Sequence, residues 1–368
     1  MKIQDFKKNL KPLDIVIFHV GGVGDYGPVE CVVDKFAPHV ITVCFEANTS
    51  ENDELVQKEL SERGVRAVLM PHAVGGTVER RPFYINKHSV SSSLFPPSPQ
   101  AIEENVVYSD GDITWGEFCE LDRTVEMDVT TFDKVIKDND IPPPDIVSLD
   151  AQGAELSIMK GGKELAMPNV LCVVSEIEFW EIYEGQGMFC EQMKFLNDLG
   201  FRIAEIFCPQ YWHPDTAVGK GFLTVGEALF FRDANKYSAK FKNSDDKTIL
   251  YEAMKLAAIA YSFRRLSYAS MLVTWILEKF GEEARTLFLA NESYKPLLGL
   301  QKAVKRNHKK YLKDDKFFFK TGWRRKGLAK LEFQDAIKPL LKGGPLAAMQ
   351  YAETILRDIL RHIFWFKR

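Results

Sequence analysis

Three features of this 368-residue chain are spaced so that they could do chemistry. The first is Asp150, within Pro144–Lys160, PDIVSLDAQGAELSIMK. Ile146, Val147 and Leu149 make a nearly continuous apolar run, the pattern of a strand buried on both faces, and Asp150 follows at its carboxyl end. Ligands of open α/β sheets lie outside the carboxyl ends of the strands, so an acid there is a site candidate. It equally suits the cap of the next helix, and spacing does not separate the two readings. The second feature is Gly21-Gly22-Val23-Gly24, directly after the apolar run LDIVIFHV. Glycines between a strand and a helix let the backbone approach a nucleotide-like ligand closely, although many tight turns of this kind bind nothing. The third is Glu46, which ends the run VITVCF about 20 residues beyond that turn. An acid at that place can accept hydrogen bonds from two ribose hydroxyls, or it is a solvated strand end.

These residues need a scaffold that brings strand ends together, and the periodicity supplies one. Leu13–Val20, Val40–Phe45, Val65–Met70, Ile146–Leu149 and Val170–Ser175 read as buried strands. Between and after them Val29–Phe36, Asp53–Arg63, Ala154–Lys160 and Phe189–Leu199 have helical spacing. Alternation of this kind predicts a doubly wound, mostly parallel sheet. Phe201–Phe207 and Glu227–Arg232 follow without a helix between them, which predicts an antiparallel last strand. A short strand is expected at Arg81–Ile85 and a helix at Thr130–Lys137 with Thr130 as its cap, while residues 100–128 show no clear pattern. Ser89–Pro99, SVSSSLFPPSP, is a loop that could be a lid, a substrate-facing segment or a plain connector.

Composition bounds the rest. Apolar residues are 46% and charged residues 27%, an ordinary globular balance that excludes a disordered or membrane-spanning chain. The first residues show no long apolar segment with a cleavage site, and the six cysteines show no C-x-x-C pair. The expectation is an unsecreted, cytoplasmic protein with reduced thiols. The net charge of −3 hides an asymmetry: residues 1–234 carry 20 Lys+Arg against 38 Asp+Glu, and residues 235–368 carry 28 against 13. Strand signals also end there, and Ile249–Ala260, Ser270–Phe280 and Pro345–Phe364 have helical spacing. The expected organisation is one α/β domain over 1–234 and a basic helical region over 235–368.

The motifs also resemble a known family. Asp145–Gly161, DIVSLDAQGAELSIMKG, is similar to the central signature of the FkbM-type S-adenosylmethionine-dependent methyltransferases. VVSEIEF, Tyr183–Gln186 (YEGQ), Phe195–Ile203 (FLNDLGFRI), Cys44–Asn48 (CFEAN) and His72–Gly76 (HAVGG) agree with that family in order and spacing. The resemblance covers about residues 13–232 and implies a Rossmann-like class I methyltransferase fold and S-adenosylmethionine as cofactor. It implies that Gly21, Gly22 and Gly24 lie under the cofactor, with Glu46 and Ala47 at its ribose and His72 and Ala73 near its adenine. Asp150 would face the transferred methyl, and Glu176 and Glu178 at the neighbouring strand end would face the acceptor, with Asp150 or Glu176 as base and His72 as rival. Ser92, Trp180, Tyr183 and Gln186 would meet the substrate, together with Tyr211 and Trp212, whose rings suit stacking on a sugar. Asp150, Glu176 and Glu178 could also hold a divalent metal, although no tight metal spacing is visible and a metal is not the favoured reading. The chain departs from the family at His19, where an acid is usual, at Ser148 in place of Lys, and at Ala47 in place of Pro.

The resemblance implies O-methylation of a hydroxyl, often on a sugar of a glycan or glycosylated metabolite. Two other classes stay open. Lys302–Lys330 holds 12 Lys+Arg against two Asp, which would suit a nucleic-acid substrate, although a basic helical face is more often solvated or docked on an acidic neighbour. His19 would suit a binding module without turnover. The final stretch, Ala347–Arg368, pairs apolar Ile355, Leu356, Ile359 and Trp365 with Arg357, Arg361 and Lys367, a composition that also fits weak membrane association. Neither the acceptor nor the oligomeric state can be read from the sequence.

Overall fold

The computed structural model describes residues 3–21, 26–47, 61–104, 107–108, 113–213, 221–234 and 245–300. Its centre is a seven-stranded sheet of β1 (Ile15–Val20), β2 (Val40–Phe45), β3 (Arg66–Met70), β9 (Ile146–Leu149), β10 (Cys172–Glu178), β11 (Phe201–Trp212) and β12 (Phe222–Arg232), in the order β11-β12-β10-β9-β1-β2-β3. β1 pairs in parallel with β2 and β9, as do β2 with β3 and β9 with β10. β12 is antiparallel to both β10 and β11. The fold is therefore the doubly wound, mostly parallel sheet with an antiparallel last strand that the alternation predicts. The last two strands run longer than expected, β11 on to Trp212 and β12 from Phe222, and stay paired there across register shifts between Phe207 and Tyr211.

Both faces of the sheet are covered, which is why β1 and β2 are buried at every position. Successive residues of β1 enter opposite cores. Ile15 and Ile17 pack with the helices Glu30–Phe36, Asp246–Ser262 and Leu266–Ala290, while Val16 and Phe18 pack with Phe132–Asn139, Glu155–Gly161 and Phe189–Asp198. Ala253, Ala257, Ala258 and Ala260 let the helix Asp246–Ser262 approach the sheet closely, and Lys255 on the same helix pairs with Asp145 at 2.6 Å. These helices complete one face of the sheet. The division expected at 234/235 therefore falls inside one compact unit, residues 1–301, and residues 302–368 form a second. The second unit, including the expected helix Pro345–Phe364, lies outside the described residues, as does most of the expected helix Asp53–Arg63.

A smaller sheet of β4 (Ala73–Val74), β8 (Leu121–Thr130) and β5 (Glu79–Asn86), and a ribbon of β6 (Val107–Tyr108) with β7 (Ile113–Thr114), occupy the chain between β3 and β9. The end of the unpatterned 100–128 segment, from Leu121, is β8, whose first half is exposed and so lacks an apolar repeat. The helix after it starts one residue later than expected. Thr131, not Thr130, is its cap and accepts from the Lys134 amide, because Thr130 still belongs to β8. All six cysteines are free thiols. No described helix is long and apolar enough to cross a membrane.

Candidate active site

Backbone hydrogen bonds join the carboxyl ends of the parallel strands into one row. The Asp150 amide donates to Val20 O at 3.0 Å, Gly21 N to Phe45 O at 3.4 Å, and Glu46 N to Met70 O at 3.2 Å. Gly21 has φ of +88°, and a Cβ there would lie 1.9 Å from the Asp150 carbonyl oxygen, so only glycine lets the ends of β1 and β9 meet. Gly21, Glu46 and Asp150 thus lie at three adjoining strand ends. Gly22 and Gly24 lie outside the described residues. Ala47 is half-buried beside Glu46, His72 is exposed just beyond β3, and Ala73 is buried in β4.

The turn after β9 decides what Asp150 does. Glu155, in the first turn of the next helix, reaches back to accept from the Ala151 amide at 2.6 Å; the helix has no side-chain cap, so Asp150 does not serve as one and is left exposed. The Gln152 amide group, held at φ of +52°, donates to Asp150 Oδ1 at 2.7 Å and to Glu176 Oε2 at 3.2 Å. Its own oxygen lies 2.8 Å from the Tyr183 hydroxyl, which fixes which way the amide faces. Gln152 therefore couples two carboxylates on adjacent strands.

Asp150, Gln152 and Glu176 line a cavity of about 210 Å³ with Glu227, Gln210 and the rings of Trp115, Phe118 and Trp212. Trp115 and Trp212 have ring centroids 4.9 Å apart, and each indole N–H is bonded, to Ile182 O and to Gln210 Oε1 respectively. No lysine, arginine or histidine is among the described residues that line it.

Behind this wall the acids crowd together. Glu155 and Glu178 are fully buried, and Glu176, between Asp150 and Glu178, is paired across the strands with Glu227. Burial, then the neighbouring negative charge of Asp150, pushes the Glu155 carboxyl up to about 7. Burial and the acids around them hold the Glu176 and Glu178 carboxyls well above the ordinary carboxylate range.

Not every expected site residue reaches the cavity. Asp150 and Glu176 line it, and Glu178 does not. Tyr183 is fully buried and serves to hold Gln152. Gln186 bonds its own loop, its oxygen accepting from the amides of Ile182 and Tyr183 at 3.2 and 2.6 Å. Ser92 accepts from the Asn86 amide, and Trp180 is half-buried; neither lines the cavity. Trp212 does line it, as its aromatic character suggests, and Tyr211 does not. Gln152 and Glu155 stand inside the Asp145–Gly161 signature without being picked out as site residues, and Trp115, Phe118, Gln210 and Glu227 escape a sequence reading. One signal was available: Thr114-Trp115-Gly116-Glu117 has capping-box spacing, and Thr114 and Glu117 do form that box at the start of the helix holding Trp115 and Phe118.

A doubly wound, mostly parallel sheet with this strand order and its carboxylates at the strand mouths is a Rossmann-like architecture. Residues 32–203 match the family described as the methyltransferase FkbM domain. Among solved structures it is similar to the methyltransferase FkbM from Methylobacillus flagellatus KT, at 12% identity and a TM-score of 0.31, over 63% of this chain and 48% of that one. The chain thus spans about half the length of that protein. It is also similar to precorrin-6y C5,15-methyltransferase from Geobacter metallireducens GS-15, at 12% identity and a TM-score of 0.28, over 62% and 87% of the two chains. No curated protein matches the sequence.

Proposed function

We propose that the chain is an S-adenosylmethionine-dependent O-methyltransferase whose acceptor is a hydroxyl of a sugar, in a glycan or a glycosylated small molecule. The observation that carries the reading is the pairing of Asp150 and Glu176 across the Gln152 amide in a cavity walled by Trp115, Phe118 and Trp212. Asp150, exposed at the cavity and held through Oδ1, is the base in this reading: it accepts the hydroxyl proton as the oxygen attacks. The indole and phenyl faces suit the apolar face of a sugar ring, and Gln210 and Glu227 can bind its hydroxyls. The donor set fits the cofactor. Glu46 offers a carboxylate at the ribose position beside the glycine end of β1, and S-adenosylmethionine supplies a methyl already activated on a sulfonium. A cavity whose described lining holds acids and no basic residue favours a neutral acceptor over a phosphate-rich strand.

The test is transfer of a labelled methyl from S-adenosylmethionine to a panel of free sugars, glycosides and glycolipids. Wild-type protein should label at least one member, and Asp150→Asn should retain the fold and lose about 100-fold or more of that rate, the usual size of a lost general base. Full turnover by Asp150→Asn would move the base to Glu176 or His72.

A further inference from the structure

Among the described residues, the buried acids elsewhere each have a cation. Asp14 is paired with Arg66 at 2.8 Å and lies 3.5 Å from His39, and Asp145 has Lys255 at 2.6 Å. The acids behind the cavity break that pattern. The charged groups acting on Glu155, Glu176 and Glu178 are Asp150, Glu227 and one another, all acidic. One oxygen from each of the three lies within 4.8 Å of the others. Glu155 Oε2 and both oxygens of Glu178 are buried and have no hydrogen-bond partner among the described residues, and both side chains are fully buried. Fully buried acceptors aimed into a shared space without a donor are costly unless something positive occupies that space.

We propose that Glu155, Glu176 and Glu178 form a binding site for a divalent cation of the hard, oxygen-seeking class: Mg²⁺, Mn²⁺ or Ca²⁺. The ligand set is all carboxylate, which excludes a preference for softer, sulfur- or imidazole-seeking metals. The spacing suits it, since metal–oxygen distances of about 2.0–2.6 Å put two ligands of one ion up to about 4–5 Å apart. Glu176 is the half-buried member and also lines the cavity, so the site has an entry path and the ion keeps positions for water or a ligand on that side. The elements hold the three acids in place before any ion arrives. Glu155 is fixed by the Ala151 amide, Glu176 by Gln152, and both Glu176 and Glu178 by the pairing of β10 with β12. Where the proposed methyl transfer holds, an ion here would also polarise an acceptor hydroxyl lying next to Glu176. Binding itself does not depend on that reading.

The experiment is a Mn²⁺ titration of the full chain after EDTA treatment and dialysis, following free Mn²⁺ by electron paramagnetic resonance, with Ca²⁺ and Mg²⁺ as competitors. Wild type should take up one Mn²⁺ per chain, displaceable by Ca²⁺ or Mg²⁺. Glu178→Gln should bind at least about tenfold more weakly, the scale of losing a site residue. Glu176→Gln, at the half-buried position, gives the same reading should the Glu178 variant fail to fold. No saturable uptake by wild type would overturn the proposal and leave protons as the neutralising charge. Unchanged uptake by a folded variant would overturn it as well. Methyl transfer is assayed separately, so a metal-binding protein without turnover and a turning-over protein without metal are told apart.

Discussion

Gln152 shows how much one uncharged side chain can organise. Its amide donates to two carboxylates, its oxygen meets Tyr183, and its backbone oxygen accepts from Ser93. In the sequence it stands only as a turn residue before Gly153, and nothing in its type announces a site. Asp150 was legible because an acid after an apolar run is visible in one dimension, whereas Gln152 and Glu227 join the site through contacts 24 residues apart and between paired strands. Tyr183 and Gln186 fail in the opposite direction. Both lie in a motif that reads as a site, yet Gln186 is spent on holding its own loop and Tyr183 on holding Gln152. Glu46 has a simpler place, at the end of β2 beside Gly21. Glu46→Ala should weaken S-adenosylmethionine binding by about 1–3 kcal/mol, the cost of losing charge-assisted hydrogen bonds. Calorimetric titration measures it, and equal affinity in the variant would remove Glu46 from the ribose site.

At the level of elements, β1, β2 and β9 were readable as strands because each is buried at every position and therefore nearly all apolar. β8 was not, since its exposed half has no period to detect. The helices Asp246–Ser262 and Leu266–Ala290 were visible as helices, yet their partner was not. Helical spacing says which residues face inward and is silent about what they face. The partner is the sheet, and one contact fixes the docking. Lys255 meets Asp145, which also accepts from the Val16 amide at 2.9 Å at the start of β1. Tyr294 adds a hydrogen bond to Leu13 O at 2.7 Å. Removing the lysine leaves a buried carboxylate without its counter-charge. Lys255→Ala should therefore lower the unfolding free energy by about 2–4 kcal/mol, slightly below the full range for a buried pair because Lys255 keeps some exposure. Urea denaturation followed by circular dichroism reads this directly. A loss below about 0.5 kcal/mol would show that the pair behaves as a surface contact.

At the scale of the whole molecule, the charge asymmetry and the compact units draw different boundaries. The sequence places the shift near residue 234, but residues 235–301 carry only 10 Lys+Arg against 7 Asp+Glu, and they belong to the first unit. The excess is concentrated in residues 302–368, with 18 against 6. Residues 1–301 then carry 30 against 45, a net −15 beside +12. Such a basic segment, ending in Ile355, Leu356, Ile359, Leu360, Phe364 and Trp365 among arginines and lysines, has the composition that binds anionic surfaces weakly. Each basic residue near such a surface contributes about 1 kcal/mol, and the attraction fades over a Debye length of about 8 Å at physiological salt. Full-length protein should therefore sediment with phosphatidylserine-containing vesicles at low salt and be released at high salt, while a chain ending at Gln301 should stay in solution at both. Because the described helices that cover the sheet lie before Gln301, that shorter chain should retain the unfolding midpoint of the full one, so any lost sedimentation reports the removed segment rather than a damaged fold. Sedimentation that survives removal of residues 345–368 alone would place the membrane contact in the lysine- and arginine-rich stretch before it, and sedimentation of the 1–301 chain would remove the basic segment from the account altogether.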